Sequence, residues 1–193
     1  MFESLFLSRT KAITALALGL AAAAVGWMLG PVEFRAASIL LAFALAWASV
    51  VDFDRFILPD ALTLGLVVAG LALASTLGSL TLLHHVIGAV AGYAVLALVA
   101  FAYRRWRGRE GLGRGDAKLL AAAGAWLGWA ALPQILLMAS VGAMGWVLAG
   151  VLARRRFNGS DPIAFGPFIA LGFWLAWTFG AGTSLPYDTM SSR

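Results

Sequence analysis

Residues 82–103 read LLHHVIGAVAGYAVLALVAFAY and run straight into the basic block RRWRGR at 104–109. The stretch contains no Asp, Glu, Lys or Arg. At about 1.5 Å per helical residue it is long enough to cross a hydrocarbon core of ~30 Å. Working outward from it, six more segments are predominantly apolar, the fourth of them short: 12–30, 35–51, 61–79, 117–132, 134–153 and 164–181. Gly30-Pro31, Gly78-Ser79 and Pro133 punctuate them, as residues that break or turn helices do. Composition agrees: 62% of the 193 residues are apolar and 12% charged, with mean hydropathy +0.89, where a soluble domain carries about 25% charged residues. The expected fold is all-α, a polytopic membrane helix bundle of about seven transmembrane helices in one domain over 1–193. The apolar run from Ala12 to Gly30 is longer than a signal-peptide core of about 7–15 residues, so it is kept as a span.

The formal charge of +5 does not point to nucleic acid. Its Lys and Arg residues sit in short blocks between apolar runs rather than along one face, which is a topology signal. With the N-terminus inside, twelve of the 14 basic residues are cytoplasmic, and Arg35 and Arg193 alone fall outside. The N-terminus is therefore expected in the cytoplasm and the C-terminus outside. The chain has no cysteine, which excludes a disulfide scaffold, a thiolate metal site and a cysteine nucleophile. An apolar content this high also excludes intrinsic disorder.

Acidic residues at the ends of spans are costly in a membrane protein and default to a functional reading. Asp52, Asp54 and Asp60 lie in VDFDRFILPD (51–60), and Asp116 ends GLGRGD (111–116). Two spans separate these connections, one going out and one returning, so both acidic segments come back to the same membrane depth. Two carboxylates at one depth can share a proton, the ionised one activating a water while the protonated one polarises a carbonyl. Such chemistry needs no metal and no cofactor. Gly113 and Gly115 leave room for an extended peptide to approach the backbone ahead of a helix expected to begin at Asp116. Other roles fit the same acids: Asp60 and Asp116 as helix caps, Asp54 paired with Arg55 or another basic loop residue, or a proton-coupled transport site.

These residues resemble a known family. An Asp-x-Asp-x-x-x-x-Pro-Asp segment (Asp52, Asp54, Pro59, Asp60) and a Gly-x-Gly-Asp-x-Lys-Leu-Leu segment (Gly113, Gly115, Asp116, Lys118, Leu119, Leu120) look like those of the type IV prepilin peptidases. The continuation AGAWLGW (123–129) and the late segment IAFGPF (163–168) are similar too. The resemblance implies an intramembrane aspartic endopeptidase of the bacterial inner membrane. Such an enzyme removes the basic leader from prepilins or pseudopilins at the cytoplasmic face, cutting after Gly. It implies Asp52 and Asp116 as the catalytic pair. Asp54, Asp60, Gly113, Gly115, Lys118, Gly166 and Pro167 would support or bind substrate, with Asp54, Asp60 or Glu110 helping to hold the leader. It implies precursor proteins and lipid as partners, and neither nucleic acid nor metal. Bifunctional members carry a cysteine-containing N-terminal domain and also N-methylate, so this chain is expected to be a short, peptidase-only form. The alternative from another class is a small proton-coupled transporter using the same acids.

The remaining motifs have plainer readings. His84 and His85 point about 100° apart on a helix and suit an interface better than a metal. Gly88-x-x-x-Gly92 and Gly124-x-x-x-Gly128 permit close helix packing, expected within the monomer. Most of the eight Trp residues fall near span ends, as in an aromatic belt. Arg104, Arg105, Arg107 and Arg109 are expected to anchor their loop to anionic headgroups, and Asp161 or Ser160 to cap a turn at Asp161-Pro162.

Overall fold

The computed structural model describes residues 9–29, 32–108, 113–153 and 164–179. Among them there is no strand, and seven α-helices follow one another: α1 (Arg9–Leu29), α2 (Arg35–Arg55), α3 (Asp60–Ser75), α4 (Ser79–Arg107), α5 (Arg114–Leu127), α6 (Leu132–Leu152) and α7 (Gly166–Phe179). The protein is a helical membrane bundle. Four stretches of the described residues are long and apolar enough to cross a bilayer: α1, Val32–Arg55, α4 and Trp129–Leu152. The other three helices are shorter, with 16 residues in α3 and 14 each in α5 and α7. At about 1.5 Å per residue, 14 residues reach only ~21 Å.

The helix ends follow local chemistry. Gly78 (φ 112°) precedes α4, and Gly108 (φ 68°) ends it with its N–H donated to the carbonyl of Arg104 at 2.9 Å. Both have a positive φ that glycine adopts freely, and Gly108 is a left-handed C-cap. Pro59 opens α3 with an extended backbone, and its carbonyl accepts the N–H groups of Leu62 and Thr63.

The expected segment 117–132 is two elements. Gly128 adopts φ 76° and caps α5 through Gly124, and a short 3-10 turn over Trp129–Ala131 then leads into α6. Apolar residues continue across the break, so hydropathy alone could not locate it. At the other end α5 begins at Arg114, two residues ahead of the expected start.

Helix α5 is the axis of the bundle. From Asp116 to Leu127 every side chain except that of Lys118 is buried, as expected of a helix that is apolar all round. It packs chiefly on α4, then on α3 and α7; α2 lies against α7, α1 against α2, and α6 against α7. Glycine makes the α4–α5 approach possible. A Cβ at Gly88 would stand 2.5 Å from the carbonyl oxygen of Gly124, and one at Gly92 would stand 2.6 Å from that of Leu120. The glycine pairs therefore pack within the monomer. Trp126 donates its Nε1–H to the carbonyl of Leu66 at 2.7 Å and meets the Trp177 ring edge-on at 5.3 Å. Trp177 in turn donates to Ser38 Oγ at 2.8 Å, tying α7 to α2. The outer faces expose Leu16, Val90, Leu137 and similar side chains, a surface suited to lipid.

Candidate active site

Asp52 lies in the last turn of α2 and Asp116 in the first turn of α5, at the same end of the bundle. Both are nearly closed off, at 5% and 6% exposure. The two are near enough for the charge of Asp52 to act on Asp116. The end of α2 is set by Phe56, which takes a left-handed conformation (φ 54°, ψ 31°) and donates its N–H to the carbonyl of Asp52 at 2.9 Å. That turn ends the helix just beyond Asp52, whose side chain is buried.

A third element completes the site. Gly166, the first residue of α7, donates its backbone N–H to Asp52 Oδ2 at 3.2 Å. Helix N-termini offer unpaired N–H groups and partial positive charge, and Gly166 presents one of those N–H groups to Asp52. Glycine is required there by space: a Cβ would come 2.7 Å from Asp52 Oδ2 and 3.1 Å from Leu58 Cδ1. Pro167 follows it, buried in the first turn of α7, where a missing N–H costs nothing.

Asp116 precedes the apolar run of α5 and stands outside the spanning segments. Burial, and then the charge of Asp52, push its carboxyl up to about 7, while a backbone hydrogen bond from Gly113 works the other way. Near neutral pH the pair can therefore hold a proton on Asp116. A carboxyl so protonated can give its proton to a carbonyl.

The flanking acids face elsewhere. Asp54 pairs with Lys11 of α1 and lies 3.8 Å from Arg55. Asp60 pairs with Lys118 of α5 at 2.5 Å. Gly113 sits beside Asp116, and Gly115 lies against Leu58, where a Cβ would meet Leu58 Cβ at 2.7 Å. The partners Lys11, Lys118 and Leu58 were not foreseen from the sequence. Lys11 lies 43 residues from Asp54, and Leu58 is one apolar residue among many. Glu110, Arg109, Ser160 and Asp161 lie outside the described residues. His85 departs from its interfacial reading: it is buried, with Nδ1 at 2.9 Å from the carbonyl oxygen of Ala125, while His84 is exposed. The α4–α5 approach through glycine brings that carbonyl within reach.

Comparison with known proteins bears on this geometry. Residues 39–148 match the type IV leader peptidase family. The chain is 42% identical over 167 residues to the prepilin leader peptidase/N-methyltransferase of Aeromonas hydrophila, covering 86% of this chain and 57% of that protein. It is 46% identical over 160 residues to the protein of that name in Burkholderia pseudomallei (strain K96243), covering 81% and 50%. To that of Escherichia coli (strain K12) it is 45% identical over 152 residues, covering 76% and 66%. It thus spans about half to two thirds of the length of these relatives. No solved structure matches it.

Proposed function

Since the chain belongs to the type IV leader peptidase family, we propose that it is an aspartic endopeptidase that removes basic leaders from prepilin or pseudopilin precursors, cutting after Gly. The observation that carries this reading is the buried pair Asp52 and Asp116, with the Gly166 N–H on one carboxylate. In the proposed mechanism Asp52, ionised, takes a proton from a water whose oxygen attacks the scissile carbonyl carbon. Asp116, protonated, gives its proton to the carbonyl oxygen. The tetrahedral intermediate then collapses, the C–N bond breaks, Asp52 gives the leaving nitrogen the proton it took from water, and Asp116 recovers the hydroxyl proton. The backbone at Gly113, Gly115, Gly166 and Pro167 would border the peptide, and Asp54, Asp60 and Glu110 would attract its Lys and Arg residues.

The basic residues favour a single membrane-embedded domain with its N-terminus in the cytoplasm, its C-terminus outside and the site at the cytoplasmic face of the inner membrane. A leader emerging from the ribosome side would meet the carboxylates there. The direct test is a cleavage assay in detergent on a panel of leaders from the same genome, with the new N-terminus sequenced. Cleavage after the leader glycine supports the proposal. A folded protein that cuts none of the panel refutes it, and proton flux in liposomes would then favour a transporter using the same acids.

A further inference from the structure

Between α2 and α3 the chain forms a four-residue strap, Phe56-Ile57-Leu58-Pro59. It exposes Phe56 at 50% and Ile57 at 60% yet buries Leu58 to 5%. The Leu58 side chain fills the gap between Gly115, which adjoins Asp116, and Gly166, which holds Asp52. Any peptide approaching both carboxylates past these glycines must enter the space that Leu58 occupies. The strap begins at Phe56, the one non-glycine residue with positive φ among the described residues, a conformation that L-residues with a large side chain disfavour. Its two flanks carry the ion-paired acids: Asp54 with Lys11 on one side, Asp60 with Lys118 on the other. All four of these side chains are partly exposed. Isolated pairs of that kind contribute little, so another cation can replace the lysine at small cost.

We propose that the strap is a specificity gate. Leu58 plugs the cleft, the two ion pairs hold the strap ends down, and a basic leader opens it by taking Asp54 and Asp60 from Lys11 and Lys118. This rests on the leader-peptidase reading and adds how a substrate is selected: cationic leaders unlock the site, and neutral peptides leave it closed. The competing view is that Leu58 is an ordinary core residue that only fixes the two segments.

The sequence has no cysteine, so Leu58→Cys introduces a single thiol, and Ile57→Cys serves as the exposed control. The measurement is the rate of maleimide alkylation of the full chain in detergent. The probes are a synthetic leader peptide bearing Lys and Arg and the same peptide with those residues replaced by Gln. Alkylation of Leu58→Cys should be at least tenfold slower than that of Ile57→Cys in the free protein. It should rise at least tenfold with the basic peptide, and not with the Gln peptide. It should rise similarly without any peptide when Asp54→Asn and Asp60→Asn are added. Equal rates for the two single-cysteine proteins, or no acceleration in the Asn variant, overturn the gate. A basic peptide that binds by fluorescence anisotropy without accelerating alkylation also overturns it, leaving the peptidase reading intact. A peptide that neither binds nor is cleaved overturns that reading itself.

Discussion

Replacing Gly166 by Ala tests whether α7 is part of the catalytic arrangement. The added Cβ would stand 2.7 Å from Asp52 Oδ2, some 0.7 Å inside the 3.4 Å at which ordinary contact begins. The clash has no easy relief, because Asp52 Cγ and Leu58 Cδ1 both lie 3.1 Å from the same point and the carboxylate is buried. Asp52 must therefore move off the Gly166 N–H, stretching a hydrogen bond that is already 3.2 Å long. Hydrogen bonds to charged groups contribute about 1.5–3 kcal/mol. A misplacement approaching 1 Å at a reacting group costs up to ~10²-fold in rate. We expect kcat/KM for leader cleavage to fall by roughly 10- to 100-fold on these grounds, with the protein still monodisperse and helical by circular dichroism. The matched control is Gly145→Ala in α6, where a Cβ meets nothing within 4 Å; it should cleave as the wild type does. A Gly166→Ala protein within twofold of wild type would refute the role assigned to α7.

Two further outcomes follow from packing and charge. Gly88→Ala puts a Cβ 2.5–2.8 Å from backbone atoms of Gly124, Gly128 and Trp129, none of which can swing away. Overpacking of this kind destabilises by about 1–3 kcal/mol. A lower melting temperature in detergent is expected, whereas Gly65→Ala, with open space around it, should not show it. The second outcome concerns pH. The Asp116 carboxyl lies at about 7 in the folded chain against an ordinary 3.8, so the folded state binds an extra proton between those values. Stability is therefore fullest at the acid end of that window and declines as pH rises through about 7, by at most ~4 kcal/mol. Cleavage should fall over the upper part of the same range as the acid loses its proton. Asp116→Asn should flatten the pH dependence of melting, and an unchanged slope would contradict the burial of an ionisable group there.

Much of the site was legible because it depends on topology rather than on contacts. Asp52 and Asp116 each stand at the end of an apolar run, and two crossings between them return the chain to one depth, so their proximity follows from counting helices. The glycines before Asp116 were legible too, since close approach demands a missing side chain, whereas Gly166 was marked only by the family resemblance. What hydropathy could not reveal lies where apolar residues do different jobs. Leu58 is buried beside the acids while Ile57, its neighbour, is exposed, and in a membrane protein both read alike. The break at Gly128 hides within an unbroken apolar run because a positive φ leaves no trace in hydropathy. Lys11 is a basic residue near a span end that a charge count assigns to topology, and the family resemblance marks Lys118 without naming its partner. Only the packing of α1 on α2 and of α5 on α3 shows them holding Asp54 and Asp60. His85 turned inward because glycine brings α4 and α5 close enough for the Ala125 carbonyl to reach its ring.

The central claim is that Asp52 and Asp116 act together on one water. The most direct measurement is leader cleavage by wild type, Asp52→Asn and Asp116→Asn, each purified in detergent and shown to be folded. The account predicts cleavage by the wild type and none by either variant. Cleavage by either Asn variant at a rate near that of wild type would place the chemistry on other residues.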